Sequence, residues 1–177
     1  MSVVDRARDF AQEKHATQLR RYTGEPYFVH LEEVAGLVER ASLSSDAIAA
    51  AWLHEVVEDQ GVPIETICAQ FGPDVALMVL DLTDAAAAPT LNRAKRKVID
   101  RARLFCASAE AQGIKCADLI SNTSTIAKHD PGFARVYLPE MRAILEVLDK
   151  APASLRDQAW ASLRQAEALL ATMDGTG

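Results

Sequence analysis

Nowhere in this 177-residue sequence do apolar and polar residues alternate with the two-residue period of a half-buried strand over a useful length. The apolar residues recur instead at spacings of three and four, so every regular segment reads as helix. Val3, Ala7, Phe10, Ala11 and His15 open the pattern, and Ser2 with Asp5 three residues on forms a capping-box signal with Asp in place of Glu or Gln. A first helix is expected over Val3–Leu19, ended by RRYTGEPY with its Gly24 and Pro26. Further helices are expected over Val29–Arg40 and over Ala47–Gln60, the latter capped by Ser44, Ser45 or Asp46 and stopped by Gly61. Pro63 opens a short helix to Gln70, Pro73 opens another over Val75–Leu82, and TDAAAAPT (83–90) reads as a mobile loop. A basic helix, LNRAKRKVIDRARLF, follows, and Gly113 is expected to separate it from a helix over Ile114–Lys128. HDPG reads as a turn before a helix over Phe133–Leu148, and Leu155, Ala159, Trp160, Leu163, Ala166 and Leu170 form a final stripe within 153–172. The fold class is all-α, expected as one domain spanning 1–177.

Composition narrows the function classes. With 49% apolar and 25% charged residues the chain reads as an ordinary soluble globule, and with only 6% aromatic residues its core must come from closely packed helices. A formal charge of -6 argues against non-specific nucleic-acid binding, which depends on neutralising phosphates, but leaves room for an anionic small molecule at a local basic cluster. Cys68, Cys106 and Cys116 form no paired motif and are expected as buried free thiols. The charged start MSVVDRARDF is no signal peptide, and no apolar run approaches membrane-spanning length, so a cytoplasmic location without membrane attachment is expected.

The densest polar feature is WLHEVVED, residues 52–59. On a continuous helix His54, Glu55, Glu58 and Asp59 would share an arc of about 140°, with Ala50, Leu53, Val56 and Val57 outside it. No Lys or Arg occurs between Asp46 and Ile64 to pair with these acids. A divalent metal accepting mixed nitrogen and oxygen ligands is the natural cation for such a set. One helix cannot close the site. His30, after PYFV, is placed to project into a cleft, and Asp118 and Asn122 lie one turn apart in the otherwise apolar IKCADLISNTST. Each has a plainer reading: His30 as a helix cap, Asp118 paired with Lys115, Asn122 bonded to backbone. Their joint occurrence favours a site.

That joint pattern, H…HE…D, resembles the HD superfamily of metal-dependent phosphohydrolases, and more closely its RelA/SpoT-type branch of alarmone hydrolases with their small single-domain relatives. HATQLRRYTGEPYFVH, WLHEVVED, FGPDVALMVLDLTD and KCADLISNTST carry the resemblance, in order, over about residues 3–148, leaving 153–172 as a helical extension. It implies a compact helical fold and hydrolysis of the 3′-pyrophosphate of (p)ppGpp or (p)ppApp, giving a nucleoside 5′-phosphate and pyrophosphate. It implies a divalent metal, manganese in the family, at His30, His54, Glu55 and Asp118. Glu58 and Asp59 fall on the catalytic acidic pair. Arg21, Tyr22, Thr23, Asn122 and Thr125 fall on positions that hold the nucleoside, and Arg93, Lys95, Arg96 and Lys97 on those facing the phosphates.

Two positions depart from the family pattern. Glu55 stands where the motif has Asp, which bears on metal choice and rate, and Tyr22 stands where the hydrolases carry lysine, which leaves guanine and adenine alarmones both open. The alternatives are a phosphohydrolase of another nucleotide, NADPH included, and a non-catalytic nucleotide-binding domain. His15 reads as a hydrogen-bonded structural histidine and His129 as a helix-end residue near solvent. The Trp160 stripe fits either internal packing or a homodimer surface.

Overall fold

The computed structural model describes residues 1–84 and 92–174. Ten helices run through them: α1 (Val3–Lys14), α2 (Phe28–Arg40), α3 (Ser45–Leu53), α4 (Val56–Gln60) and α5 (Ile64–Phe71) form the first half. The second half comprises α6 (Pro73–Leu82), α7 (Arg93–Cys106), α8 (Ala109–His129), α9 (Pro131–Leu145) and α10 (Ala153–Asp174). The all-α class is as expected, and the described residues hold no strand beyond one isolated Leu19–Pro26 bridge. Most of the expected loop at 83–90 lies outside the described residues.

Local chemistry sets the boundaries. The Ser2 hydroxyl accepts from Asp5 N–H while the Asp5 carboxylate accepts from Ser2 N–H, so the capping box forms with aspartate as its acid. α1 stops at Lys14 rather than Leu19, because residues 18–27 fold back as a tight loop: Tyr27 N–H donates to Gln18 O and Arg20 N–H to Glu25 O. Gly24, at φ 70°, supplies the left-handed turn this loop requires.

The expected helix 47–60 is two helices, broken at His54–Glu55. His54 Nδ1 lies 2.7 Å from the Ala51 carbonyl, the oxygen that a continuous helix would give to Glu55 N–H. Gly113, expected as a break, sits inside α8, which Ser108 caps four residues after Leu104. Its role is space: a Cβ there would lie 3.0 Å from Pro152 Cδ and 3.1 Å from Leu43 Cδ2. The HDPG turn shrinks to Asp130, which caps α9 through Phe133 N–H, with Pro131 in the first turn.

α8 is the axis of the molecule, flanked by α2, α3, α6, α9 and α10. α2 and α3 are tied by Phe28 stacked on Trp52 at 5.1 Å. Leu155, Ala159, Leu163, Ala166 and Leu170 are buried where α10 meets α8 and α9, so the C-terminal stripe is internal packing. Trp160 lies at its edge beneath the Arg142 guanidinium. Of the cysteines only Cys116 is buried; Cys68 and Cys106 are exposed, contrary to expectation, because α5 and α7 turn those positions outward.

Leu163 is fully buried in this seam. Leu163→Ala should lower the unfolding free energy by about 2–5 kcal/mol in urea titrations, equally at low and high protein concentration. A loss that depends on concentration would reassign the stripe to a contact between copies.

Candidate metal centre

Three segments meet at the buried end of a cleft. His30 comes from the first turn of α2, His54 and Glu55 from the α3–α4 break, and Asp118 from the middle of α8. His30 and Asp118 are 1% and 3% exposed. One ligand atom from each of the four falls within 4.8 Å of the others. His30 Nε2 is 3.5 Å and His54 Nε2 3.8 Å from Asp118 Oδ1, and His54 Nε2 is 3.5 Å from Glu55 Oε1.

Both Nε2 atoms are buried without a hydrogen-bond partner. Their Nδ1 atoms are engaged elsewhere, with the Ala51 carbonyl for His54 and with Ser121 Oγ at 2.9 Å for His30. Two orphaned imidazole nitrogens facing two carboxylates are costly unless a cation completes the set. This donor set of two nitrogens and two carboxylates fits a divalent metal.

The electrostatics show what stands in for that charge. Burial disfavours the Asp118 carboxylate, yet Lys115, His54 and His30 outweigh it and hold the group well below the ordinary aspartate value. Lys115 Nζ is 2.9 Å from Asp118 Oδ2, and Asn122 Nδ2 donates to Oδ1 at 2.7 Å. The plainer reading of Asp118 is therefore true as well, since it pairs with Lys115 and faces the histidines. Burial pushes the Glu55 carboxyl up to about 7 and the His30 imidazole down to about 3. Burial also opposes a charge on His54, but Asp118 and Glu55 outweigh it and raise that group.

Two cavities open beside the cluster. One of about 300 Å³ is lined by His54, Glu55, Glu58, Arg93, Lys97, Lys115 and Asp118 among others. The second, about 130 Å³, is lined by Arg20, Arg21, Tyr22, Thr23, Tyr27, Asn122, Thr125 and Ile126. Asn122 and Ile126 border both. Every residue expected to hold a nucleoside thus surrounds one cavity, and the expected ligands except His30 line the other.

The acidic pair is divided. Glu58 faces the larger cavity and its Oε2 accepts Asp84 N–H at 3.1 Å, with burial raising its pKa. Asp59 is absent from that lining; its Oδ2 accepts from Gln18 Nε2 at 2.7 Å, and Gln18 in turn meets His15 and Gln60. Of the basic helix, Arg93 and Lys97 reach the cavity, whereas Lys95 and Arg96 do not line it. Arg93 makes a bidentate pair with Glu140, and Lys97 lies 2.6 Å from Asp84. His15 is buried and stacked on Tyr27, as its structural reading requires, whereas exposed His129 stacks on Tyr22. The sequence pattern marks Lys115 only as a partner for Asp118 and carries no signal for Ser121, Gln18, Asp84 or Glu140. A lysine three residues before a buried aspartate on one helix face was the available signal for Lys115.

The sequence pattern of the HD domain family matches residues 7–148. The chain belongs to the HD domain family. A probable guanosine-3′,5′-bis(diphosphate) 3′-pyrophosphohydrolase of Synechocystis is 34% identical over 149 residues, covering 82% of this chain and 20% of that protein. The guanosine-3′,5′-bis(diphosphate) 3′-pyrophosphohydrolase of Aquifex aeolicus is 32% identical, covering 70% of this chain and 18% of that protein. The chain thus spans about a fifth of the length of these curated relatives. A solved structure of a metazoan ortholog of SpoT, described as hydrolysing ppGpp and playing a role in starvation responses, superposes with a TM-score of 0.82 at 25% identity. That match covers 93% of this chain and 96% of the metazoan one. A Listeria monocytogenes structure, at 23% identity and a TM-score of 0.68 over 82% of this chain and 98% of that one, shares the fold.

The Glu55 environment in this HD domain sets a sign for pH dependence. Its folded value of about 7 lies above the ordinary 4.5, so between them the ion-free folded state holds a proton that the unfolded chain has released. The Glu55 contribution to stability is therefore present at low pH and is lost as pH rises toward 7, by at most about 1.4 kcal/mol per pH unit. In chelator, urea unfolding of the parent should show this decline and Glu55→Gln should lack that component. Identical pH slopes would contradict it.

Proposed function

We propose that this HD domain hydrolyses the 3′-pyrophosphate of an alarmone nucleotide, (p)ppGpp or (p)ppApp, with a divalent cation held by His30, His54, Glu55 and Asp118. The observation that carries this reading is the junction of the two cavities. A ligand cluster and three cations, Arg93, Lys97 and Lys115, line one, and the expected nucleoside-holding residues line its neighbour across Asn122. A nucleoside between the 20–23 loop and the Asn122–Thr125 face of α8 would direct its 3′-substituent toward the cluster. Manganese is the ion the family resemblance favours, and the two carboxylates are compatible with it.

When bound, the cation would supply Lewis acidity to the phosphate and to the attacking water. The chain's own residues do the rest. Water attacks the phosphorus next to the 3′-oxygen, that P–O bond breaks, and the 3′-oxygen takes up a proton. Glu58 faces the cavity with a pKa raised by burial, which suits a carboxylate that accepts a proton from water and returns it. Asp59, held by Gln18, supports it from beside the cavity and adds negative field at Glu55. Arg93, Lys97 and Lys115 offset phosphate charge, the first two by exchanging Glu140 and Asp84 for substrate oxygens. The products are a nucleoside 5′-di- or triphosphate and pyrophosphate.

Tyr22 shapes base choice. Its ring stacks on His129 and lies beneath Arg21, and its hydroxyl approaches Asp130 Oδ2 at 3.3 Å, so the wall is aromatic where the related hydrolases carry lysine. An aromatic wall accepts either purine, and ppApp is accordingly included as a substrate. A cytoplasmic location belongs to this reading, supported by the three free thiols; no helix among the described residues is long and apolar enough to cross a membrane.

The test is pyrophosphate release from ppGpp and ppApp with manganese. The double variant Glu58→Gln, Asp59→Asn should keep manganese and alarmone binding, read by calorimetry, and lose about 10²–10⁴-fold in turnover. Unchanged turnover would remove the pair from the mechanism, and a parent that binds alarmone without cleaving it would refute the hydrolase.

A further inference from the structure

We infer that Ser121 and Glu33 form a hydrogen-bond relay that fixes His30 in its Nδ1–H tautomer and so presents the Nε2 lone pair to the metal cluster. Ser121 is buried on α8, and its Oγ lies 2.9 Å from His30 Nδ1 and 2.5 Å from Glu33 Oε2. A serine hydroxyl has one proton and can serve either neighbour, whereas a carboxylate only accepts. The short contact to Glu33 therefore takes the Ser121 proton, as expected for a charge-assisted O–H···O bond. Ser121 Oγ is left as an acceptor, and His30 Nδ1 must donate to it. The remaining nitrogen, Nε2, then carries the lone pair, 3.5 Å from Asp118 Oδ1 and without another partner.

The Nδ1–H of His54 is fixed by a simpler route, since the Ala51 carbonyl at 2.7 Å can only accept. His30 has no such carbonyl and depends on two side chains. Glu33 stands three residues after His30 on α2, so both share the helix face turned toward α8. Neither Glu33 nor Ser121 lines the cavity of the ligand cluster. Glu33 lies instead along a groove of about 260 Å³ between α8 and α10, so the pair act through His30 as positioning residues. Arg20 Nη1 lies 3.9 Å from Glu33 Oε2, and Arg20 also lines the nucleoside-side cavity. One carboxylate thus touches both the metal-ligand support and the nucleoside wall. Without it the Ser121 hydroxyl could turn and donate to Nδ1, which would place the imidazole proton on Nε2, where a cation must bind.

The inference rests on the metal centre proposed above and not on its substrate, so its test reads no turnover. Long-range ¹H–¹⁵N correlation spectra of the ion-free protein at neutral pH report the His30 tautomer, and calorimetry with manganese reports affinity. The parent should show Nδ1–H alone. Glu33→Ala and Ser121→Ala should each raise an Nε2–H population and weaken manganese about 10–100-fold, and the double variant should be little worse than Ser121→Ala. Ser121→Thr, which keeps the hydroxyl, should restore the parent's tautomer and affinity. Retention of both the tautomer and the affinity in the two alanine variants would overturn the relay alone. A parent that takes up no manganese would overturn the metal centre on which it stands.

Discussion

The molecule is organised around the burial of unlike polar groups that water can no longer solvate. His30, His54, Glu55 and Asp118 are packed so that two carboxylates and two imidazole nitrogens share a space under 5 Å across. Each is desolvated, and only charge complementarity offsets that cost. Lys115 supplies part of it at Asp118. Burial also favours a proton on Glu55, and Asp118 and Glu55 favour one on His54 against its burial. A divalent cation would replace those protons, which is why the cluster reads as a binding site and not as a structural network.

The helices are arranged to deliver these four groups. α2 brings His30 at its first turn, the α3–α4 break brings His54 and Glu55, and central α8 brings Asp118. The break follows from the site itself. By taking the Ala51 carbonyl, the His54 imidazole ends α3 and frees Glu55 from the continuing spiral. Gly113 matters for the same reason at a distance, because its missing side chain admits the Pro152 and Leu43 contacts that hold α8 against the chain around it.

The helical class, most helix positions and the four clustered residues were legible in the sequence. Periodic apolar positions report which face of each helix is covered, and Asp118 is conspicuous because an acid inside IKCADLIS must have a reason to be there. What escaped the sequence is tertiary in origin. WLHEVVED has an uninterrupted helical pattern, and only the turn of the His54 ring onto its own backbone divides it. Glu58 and Asp59 are neighbours with the same chemistry, and nothing local says that one faces the cavity while the other meets Gln18. Ser121 looks like any small polar residue in a helix until α2 places His30 and Glu33 on either side of it. Gly113 reads as a breaker by composition, yet it is a packing residue whose partners are distant in sequence.

The proposed chemistry depends on these four side chains enclosing a divalent cation. Anomalous diffraction at the manganese edge, from crystals of the protein grown with manganese, tests it most directly. A single strong peak is expected in the space bounded by His30 Nε2, His54 Nε2 and the carboxylates of Glu55 and Asp118. No peak there, with the four side chains bonded only to one another and to Lys115, would contradict it.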